Sequence, residues 1–243
     1  MPPFELIGHR GYPARYPENT LLGFEQAIDA GARYLECDVR LSADGVPFVF
    51  HDSTLDRLCG VSGAIGELNA EQLERCSPSM PQRFGNRFRG IPMLRLEQLV
   101  ALLRQQPQVT LFLELKQEMM QPPGPALGVA RVLALIERVR SQVVLISFSI
   151  ELLEHAQQQG WVRLAPVLSR WNQSQRLSVL NLKPEWLFLD HLQIPSNLNC
   201  ASVNPPLAVY EVSDIDAAYA LARRGVAWIE TDAIGEMLEA QLE

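Results

Sequence analysis

The sequence predicts an α/β fold, a (β/α)8 TIM barrel with a small insertion after strand two, and three observations carry that expectation. Eight short, apolar, β-rich runs recur along the 243 residues, and helical patterns fall between them. The length suits one barrel without a second domain. A single stretch, residues 53–90, breaks the alternation with scattered glycines and prolines and no strand-helix unit.

The runs cover residues 5–9, 34–41, 109–116, 143–149, 163–168, 186–190, 207–212 and 226–232. Helices are expected over residues 20–30, 94–103, 126–139, 150–159 and 214–223. Asn19 and Asp214 are placed to cap the first and last of these, each side-chain oxygen meeting an unpaired N–H, while Gly31 and Gly160 suit helix ends. Residues 1–243 therefore read as a single barrel domain, with 53–90 as an inserted subdomain on its active-site face. In such barrels reactive groups sit at the carboxyl ends of strands and in the loops that follow.

Composition narrows the function. With 47% hydrophobic and 20% charged residues the chain is ordinary for a globular protein. Its formal charge of −7 disfavours nucleic acid and anionic membrane surfaces as partners, so an anionic substrate needs a locally positive site. No apolar run approaches bilayer-spanning length, which argues against stable membrane insertion; the N-terminus lacks a basic segment followed by an apolar run, and a cytoplasmic location is expected. Self-association is left open. Cys37, Cys59, Cys76 and Cys200 have no CxxC spacing and read as reduced structural thiols.

The chemistry gathers at strand ends. In Leu35-Glu36-Cys37-Asp38-Val39, alternation puts Glu36 and Asp38 on one face, where two carboxylates repel unless a cation, a shared proton or solvent relieves them. Glu114 and Lys116 share a face in the next barrel strand. Three carboxylates without sulfur favour one divalent cation, Mg2+ or Ca2+, over zinc; the competing reading is a Glu114–Lys116 ion pair. Two of the four histidines, His9 and His51, follow apolar runs, whereas His155 and His191 read as structural or solvent-facing. Asp44-Gly45 signals a hairpin; pairing Ala43 with Val46 sets Asp38 opposite His51, and a bulge would shift this by one residue. Asp52 is placed to orient His51. Arg10 offers a planar fork for a phosphate, and Gly11 leaves room for the turn. Glu36, Asp38 and Glu114 against Arg10 and Lys116 leave one negative charge, which a divalent ion turns into one positive charge that attracts an anionic diester.

Taken together, His9-Arg10-Gly11, Pro17-Glu18-Asn19-Thr20, Glu36-x-Asp38-Val39, Asp44-Gly45, His51-Asp52 and Glu114-x-Lys116 resemble the glycerophosphodiester phosphodiesterase family, most closely its cytoplasmic bacterial members. The likeness is densest over residues 8–58, continues through Ile91-Pro92 and Ser147-Phe148, and ends weakly at Thr231-Asp232. It implies metal-dependent hydrolysis of a small glycerophosphodiester to glycerol 3-phosphate and an alcohol, with the metal on Glu36, Asp38 and Glu114. It also implies acid–base roles for His9 and His51, phosphate contacts from Arg10 and Lys116, and a supporting role for Glu18. The nucleophile is water or the glycerol 2-hydroxyl. Where family members often carry Trp followed by Thr-Val-Asn, this chain has Tyr210-Glu211-Val212-Ser213; Tyr210 and Phe148 are the candidate walls for the glycerol carbons. Two other readings are a related barrel phospholipase acting on intact or lyso-lipids, which wants an apolar rim, and a non-catalytic phosphodiester-binding protein, which predicts a missing chemical part.

Overall fold

The computed structural model describes residues 4–120, 124–175 and 177–242. Its strands are β1 (Glu5–Gly8), β2 (Tyr34–Leu41), β3 (Pro47–Val49), β4 (Thr110–Leu115), β5 (Val143–Ser147), β6 (Leu164–Leu168), β7 (Leu187–Asp190), β8 (Leu207–Tyr210) and β9 (Trp228–Thr231). All except β3 run parallel, each beside its neighbour, and β9 closes on β1 to complete an eight-stranded barrel. The ninth strand, β3, pairs antiparallel with β2 as the return arm of a hairpin.

The helices are α1 (Leu21–Asp29), α2 (Asp56–Cys59), α3 (Ala70–Leu73), α4 (Pro81–Phe84), α5 (Leu96–Gln105), α6 (Pro125–Ile136), α7 (Ile150–Gln158), α8 (Leu177–Asn181), α9 (Ile215–Arg223) and α10 (Ile234–Leu242). In α5 the buried residues Leu96, Leu99, Val100 and Leu103 follow the one-face spacing of an amphipathic helix. Asp214 caps α9, its Oδ1 accepting from Ala217 N at 2.8 Å. Short 3-10 turns, His191–Gln193 and Cys200–Ser202, stand between β7 and β8 where a full helix is usual.

Strand alternation divides the barrel into two apolar layers. Leu35, Cys37, Leu111, Leu113 and Leu145 face outward against the helices. Ile7, Phe112, Val144, Ala165, Phe188 and Ala208 fill the interior. At the amino-terminal end of the barrel Tyr34 meets Trp228 at 4.7 Å between ring centroids, Phe112 meets Trp186 at 5.3 Å, and Trp186 meets Trp228 at 5.4 Å, all edge to face. These rings make a solid floor. Residues 53–90 hold the one-turn helices α2, α3 and α4, and Leu55, Leu58, Ile65, Leu73 and Met80 form a separate apolar cluster with Phe48 and Phe50 of the hairpin.

The hairpin takes the shifted one of its two expected registers, and one cap is corrected. The β2–β3 register pairs Val39 with Val49 and Leu41 with Pro47, and Phe50 N bonds Asp38 O at 2.9 Å, so Phe50 rather than His51 lies opposite Asp38. The cause is a three-residue loop: Gly45 takes φ 79° and Val46 O accepts from Ser42 N at 3.0 Å, adding the residue that a two-residue turn would omit. Asn19 does not cap α1. Thr20 does, its Oγ1 accepting from Gly23 N at 3.1 Å, because Asn19 adopts φ 55° and spends its side chain on Asp38.

Candidate active site

The carboxyl ends of β1, β2, β4 and β9 and the segment after β3 converge on one cavity of about 180 Å³. His9, Arg10, Glu36, His51, Glu114 and Lys116 all line it. Phe148 and Tyr210 form part of its wall with Phe188, Val167 and Ile146. Glu18 and Asp38 lie behind this surface, 4% and 1% exposed. A larger groove of about 310 Å³ at Trp171, Leu180 and Pro184 is lined by no titratable side chain among the described residues.

The parallel register of β2 and β4 sets Asp38 beside Glu114. Ligand oxygens of Glu36, Asp38 and Glu114 all lie within 4.8 Å of one another. Lys116 Nζ sits among them, 2.7 Å from Asp38 Oδ1 and 3.0 Å from Glu114 Oε2. The Glu114–Lys116 pair is therefore present alongside the carboxylate trio. Burial and the negative charge of Asp38 push the Glu114 carboxyl up to about 7, against the pull of Lys116. Burial, Asp38 and Glu230 hold Glu36 well above the usual carboxylate range, and among the described residues its one hydrogen-bond donor is Arg10 N at 3.1 Å. Asp38 goes the other way: burial opposes ionisation, but Lys116, Arg10 and His51 outweigh it. An all-oxygen donor set in which burial and neighbouring carboxylates raise Glu36 and Glu114 fits a hard divalent cation.

Arg10 occupies the left-handed region with φ 50°, an uncommon conformation for a residue with a side chain, and Asn19 N bonds its carbonyl at 2.9 Å. Gly11 next to it has φ 91°, and a Cβ there would come within 2.9 Å of Gly23 C. The tight turn aims the guanidinium inward, where Nη1 donates to Glu18 Oε1 at 3.0 Å. Arg10 Nε stands 3.1 Å from Asp38 Oδ2, but the N–H points off line and makes no hydrogen bond. Asn19 Nδ2 bonds the same Asp38 oxygen at 2.8 Å.

Each cavity histidine has a carboxylate on Nδ1: Asp232 Oδ1 at 2.7 Å from His9, and Asp52 Oδ1 at 2.7 Å from His51. Both leave Nε2 free of that partner. His9 Nε2 stands 3.4 Å from Glu230 Oε1 and 3.9 Å from both Glu36 Oε2 and Glu211 Oε1. Burial opposes the imidazolium, yet Glu230, Asp232 and Glu36 together raise His9 to about 10. Burial likewise lifts Glu230 to about 7, partly offset by His9.

Glu230, Asp232 and Arg57 had no assigned place in the sequence-based site. Period-two alternation offered a signal for the first two, since Trp228, Glu230 and Asp232 share the inward face of β9 and its continuation. Arg57 reaches Glu18 and Asp52 from α2, a contact no local pattern announces.

Comparison with known proteins agrees with this architecture. The family model described as glycerophosphoryl diester phosphodiesterase family matches residues 9–236. A glycerophosphodiester phosphodiesterase of Bacillus altitudinis is 32% identical over 120 residues, 49% of this chain and 48% of the relative; glycerophosphodiester phosphodiesterase 1 of Mus musculus is 38% identical over 112 residues, 45% of this chain and 33% of the relative. These matches thus span less than half of either relative's length. The crystal structure of glycerophosphodiester phosphodiesterase from Agrobacterium tumefaciens superposes with a TM-score of 0.77 at 26% identity, covering 97% of this chain and 99% of that one. An Oleispira antarctica phosphodiesterase, solved with the product sn-glycerol-3-phosphate, shares the fold with a TM-score of 0.85 at 21% identity, covering 98% and 97%. Among the described residues no helix is long and apolar enough to cross a membrane. From the first cavity histidine to the last helix, the chain belongs to the glycerophosphoryl diester phosphodiesterase family.

Proposed function

We propose that the protein hydrolyses a small glycerophosphodiester to glycerol 3-phosphate and an alcohol, using one divalent cation, Mg2+ or Ca2+. The observation that carries this reading is the meeting, in and just behind the wall of one cavity, of a carboxylate trio, two cations for an anion, and two histidines each held by a carboxylate at Nδ1. Glu36, Asp38 and Glu114 would hold the cation, which supplies charge stabilisation at the phosphoryl oxygens.

Arg10 and Lys116 bind the phosphate, with Glu18 steadying Arg10 through the Nη1 contact. Phe148 and Tyr210 offer the walls against which glycerol carbons pack, and Glu211 adds a carboxylate at the same side of the cavity. His9, raised to about 10, enters as the imidazolium and protonates the departing alcohol. His51, with Nδ1 engaged by Asp52, uses Nε2 to take the proton of the nucleophile. Residues 53–90 act as an inserted subdomain that brings Arg57 to this face.

The test is an assay of glycerophosphocholine, glycerophosphoethanolamine and lysophosphatidylcholine with added Mg2+ or Ca2+. Release of glycerol 3-phosphate from the first two, abolished by chelation, is expected. Turnover of the lysolipid alone would favour the phospholipase reading, and no turnover of any of them would remove the hydrolytic one.

A further inference from the structure

Arg57 lies in α2 between Leu55 and Leu58, which are 1% and 0% exposed and anchor this turn in the apolar cluster of residues 53–90. Its guanidinium uses all three nitrogens. Nε and Nη2 donate to Asp52 Oδ2 and Oδ1 at 2.8 and 2.7 Å. Nη1 and Nη2 donate to Glu18 Oε2 and Oε1 at 2.7 and 2.8 Å. Each carboxylate then passes the contact inward, Asp52 Oδ1 to His51 Nδ1 at 2.7 Å and Glu18 Oε1 to Arg10 Nη1 at 3.0 Å. A continuous chain of contacts therefore joins His51 to Arg10 through one side chain that does not itself line the cavity.

We propose that Arg57 is a positioning residue that holds the His51 imidazole and the Arg10 guanidinium in one mutual geometry, making the segment after β3 a structural part of the active site. The proposal rests on the roles given above to His51 and Arg10. Three physical points support it. Glu18 and Asp52 bring carboxylate oxygens within 4.8 Å of each other and of His51, an arrangement that repels itself unless a cation stands between them. Arg57 is that cation: against burial it lowers the Glu18 carboxyl together with Arg10, and it adds to His51 in lowering that of Asp52. An exposed ion pair contributes little, but Glu18 is 4% exposed and both contacts are two-point, a geometry that fixes orientation as well as distance. Lysine, with one nitrogen, cannot span both carboxylates in this way.

The consequence is division of labour between two arms. The Asp52 arm sets which His51 nitrogen carries the proton, Nδ1–H toward Asp52 and Nε2 toward the cavity. The Glu18 arm sets where Arg10 meets the phosphate.

The experiment uses the full-length, Mg2+-loaded protein with glycerophosphocholine, comparing Arg57→Ala, Arg57→Lys, Asp52→Asn and Glu18→Gln with the wild type. Arg57→Ala is expected to lose about 10- to 100-fold in kcat and to gain in KM, the scale typical of groups that orient a reactive residue. Asp52→Asn should act mainly on kcat and Glu18→Gln mainly on KM, while Arg57→Lys, which keeps the charge, should still fall well below wild type. Added methylguanidinium should restore part of the Arg57→Ala activity, a rescue that general loosening of the fold would not give. Nitrogen-15 spectra of the metal-free protein read the His51 tautomer without any substrate: Nδ1–H in the wild type, a mixture in Arg57→Ala. Wild-type kcat, KM and His51 tautomer in folded Arg57→Ala, or in Arg57→Lys should the alanine variant not fold, would overturn the proposal. If the wild type itself cleaves no glycerophosphodiester, the functional reading fails, and the tautomer measurement still decides whether Arg57 positions His51.

Discussion

Replacing Glu230 with glutamine should lower the protonation midpoint of His9 while keeping the shape of the site. The carboxylate stands 3.4 Å from His9 Nε2. At an effective dielectric constant of about 20, that separation gives roughly 5 kcal/mol of gross attraction, or about 3.6 pKa units. That figure is an upper bound on the fall, because the glutamine amide oxygen can still accept from Nε2–H, and Asp232, which stays on Nδ1 at 2.7 Å, keeps the variant's midpoint above the ordinary value. A fall of about one to two units from the wild-type value of about 10 is therefore expected. The sign is set by the raised value: the stabilisation that His9 carries is complete below 6.5 and is lost as the pH climbs through about 10, so the variant loses it at lower pH. The assay is an NMR titration of His9 in metal-free wild type and Glu230→Gln. A wild-type midpoint near 6.5, or the same midpoint in both proteins, would refute the reasoning.

Glu36→Ala, Asp38→Ala and Glu114→Ala should each weaken divalent-ion binding, measured by calorimetry on folded proteins; undiminished affinity in all three removes the proposed metal site. Because burial and Asp38 lift Glu114 to about 7, a proton competes with the ion below that value. Affinity should therefore climb as the pH rises through about 7, with protons released, as seen in buffers of differing ionisation heat; a constant affinity from about pH 6 to about pH 8 contradicts this. His51→Ala should cost about 10²- to 10⁴-fold in kcat while leaving ion affinity intact, and near-wild-type turnover excludes its proton-transfer role.

Alternation along single strands made much of this site readable in advance. Glu36 with Asp38, and Glu114 with Lys116, share faces because a strand repeats every two residues, whatever surrounds it. What alternation does not give is register between parallel strands, and it is register that sets Asp38 beside Glu114. Glu230 was within reach of the same rule, but its neighbours read as the faint end of a motif rather than as an inward face. Asn19 shows a different boundary. An asparagine just before a helix suits a cap, and only the β2 carboxylate 2.8 Å away, together with φ 55°, assigns it to Asp38 instead. Arg57 lies five residues from Asp52 and 39 from Glu18, in a stretch with no periodicity to orient it, so its two contacts depend on how residues 53–90 fold over the barrel. The hairpin stood open between two registers because Asp44-Gly45 supports both a two-residue turn and the longer loop, and the chain uses the latter, the one-residue shift allowed for a bulge.

The aromatic rings packed beneath the cavity turn the barrel into a cup. Phe112, Trp186 and Trp228 close its base edge to face, and Phe188 meets Phe112 at 5.1 Å just above them. Among the described residues these rings leave no passage through the base, so on the proposed activity a diester would enter and both fragments would leave from the opposite end, where Phe148 and Glu211 line the cavity. Traffic would then be sequential: a fragment held by Arg10 and Lys116, in the role proposed for them, would block the next arrival, and the anionic one would have the stronger hold there. Turnover at high product concentration would then be governed by how quickly that fragment leaves, and a longer alcohol portion of the diester would be accommodated only in the direction of solvent.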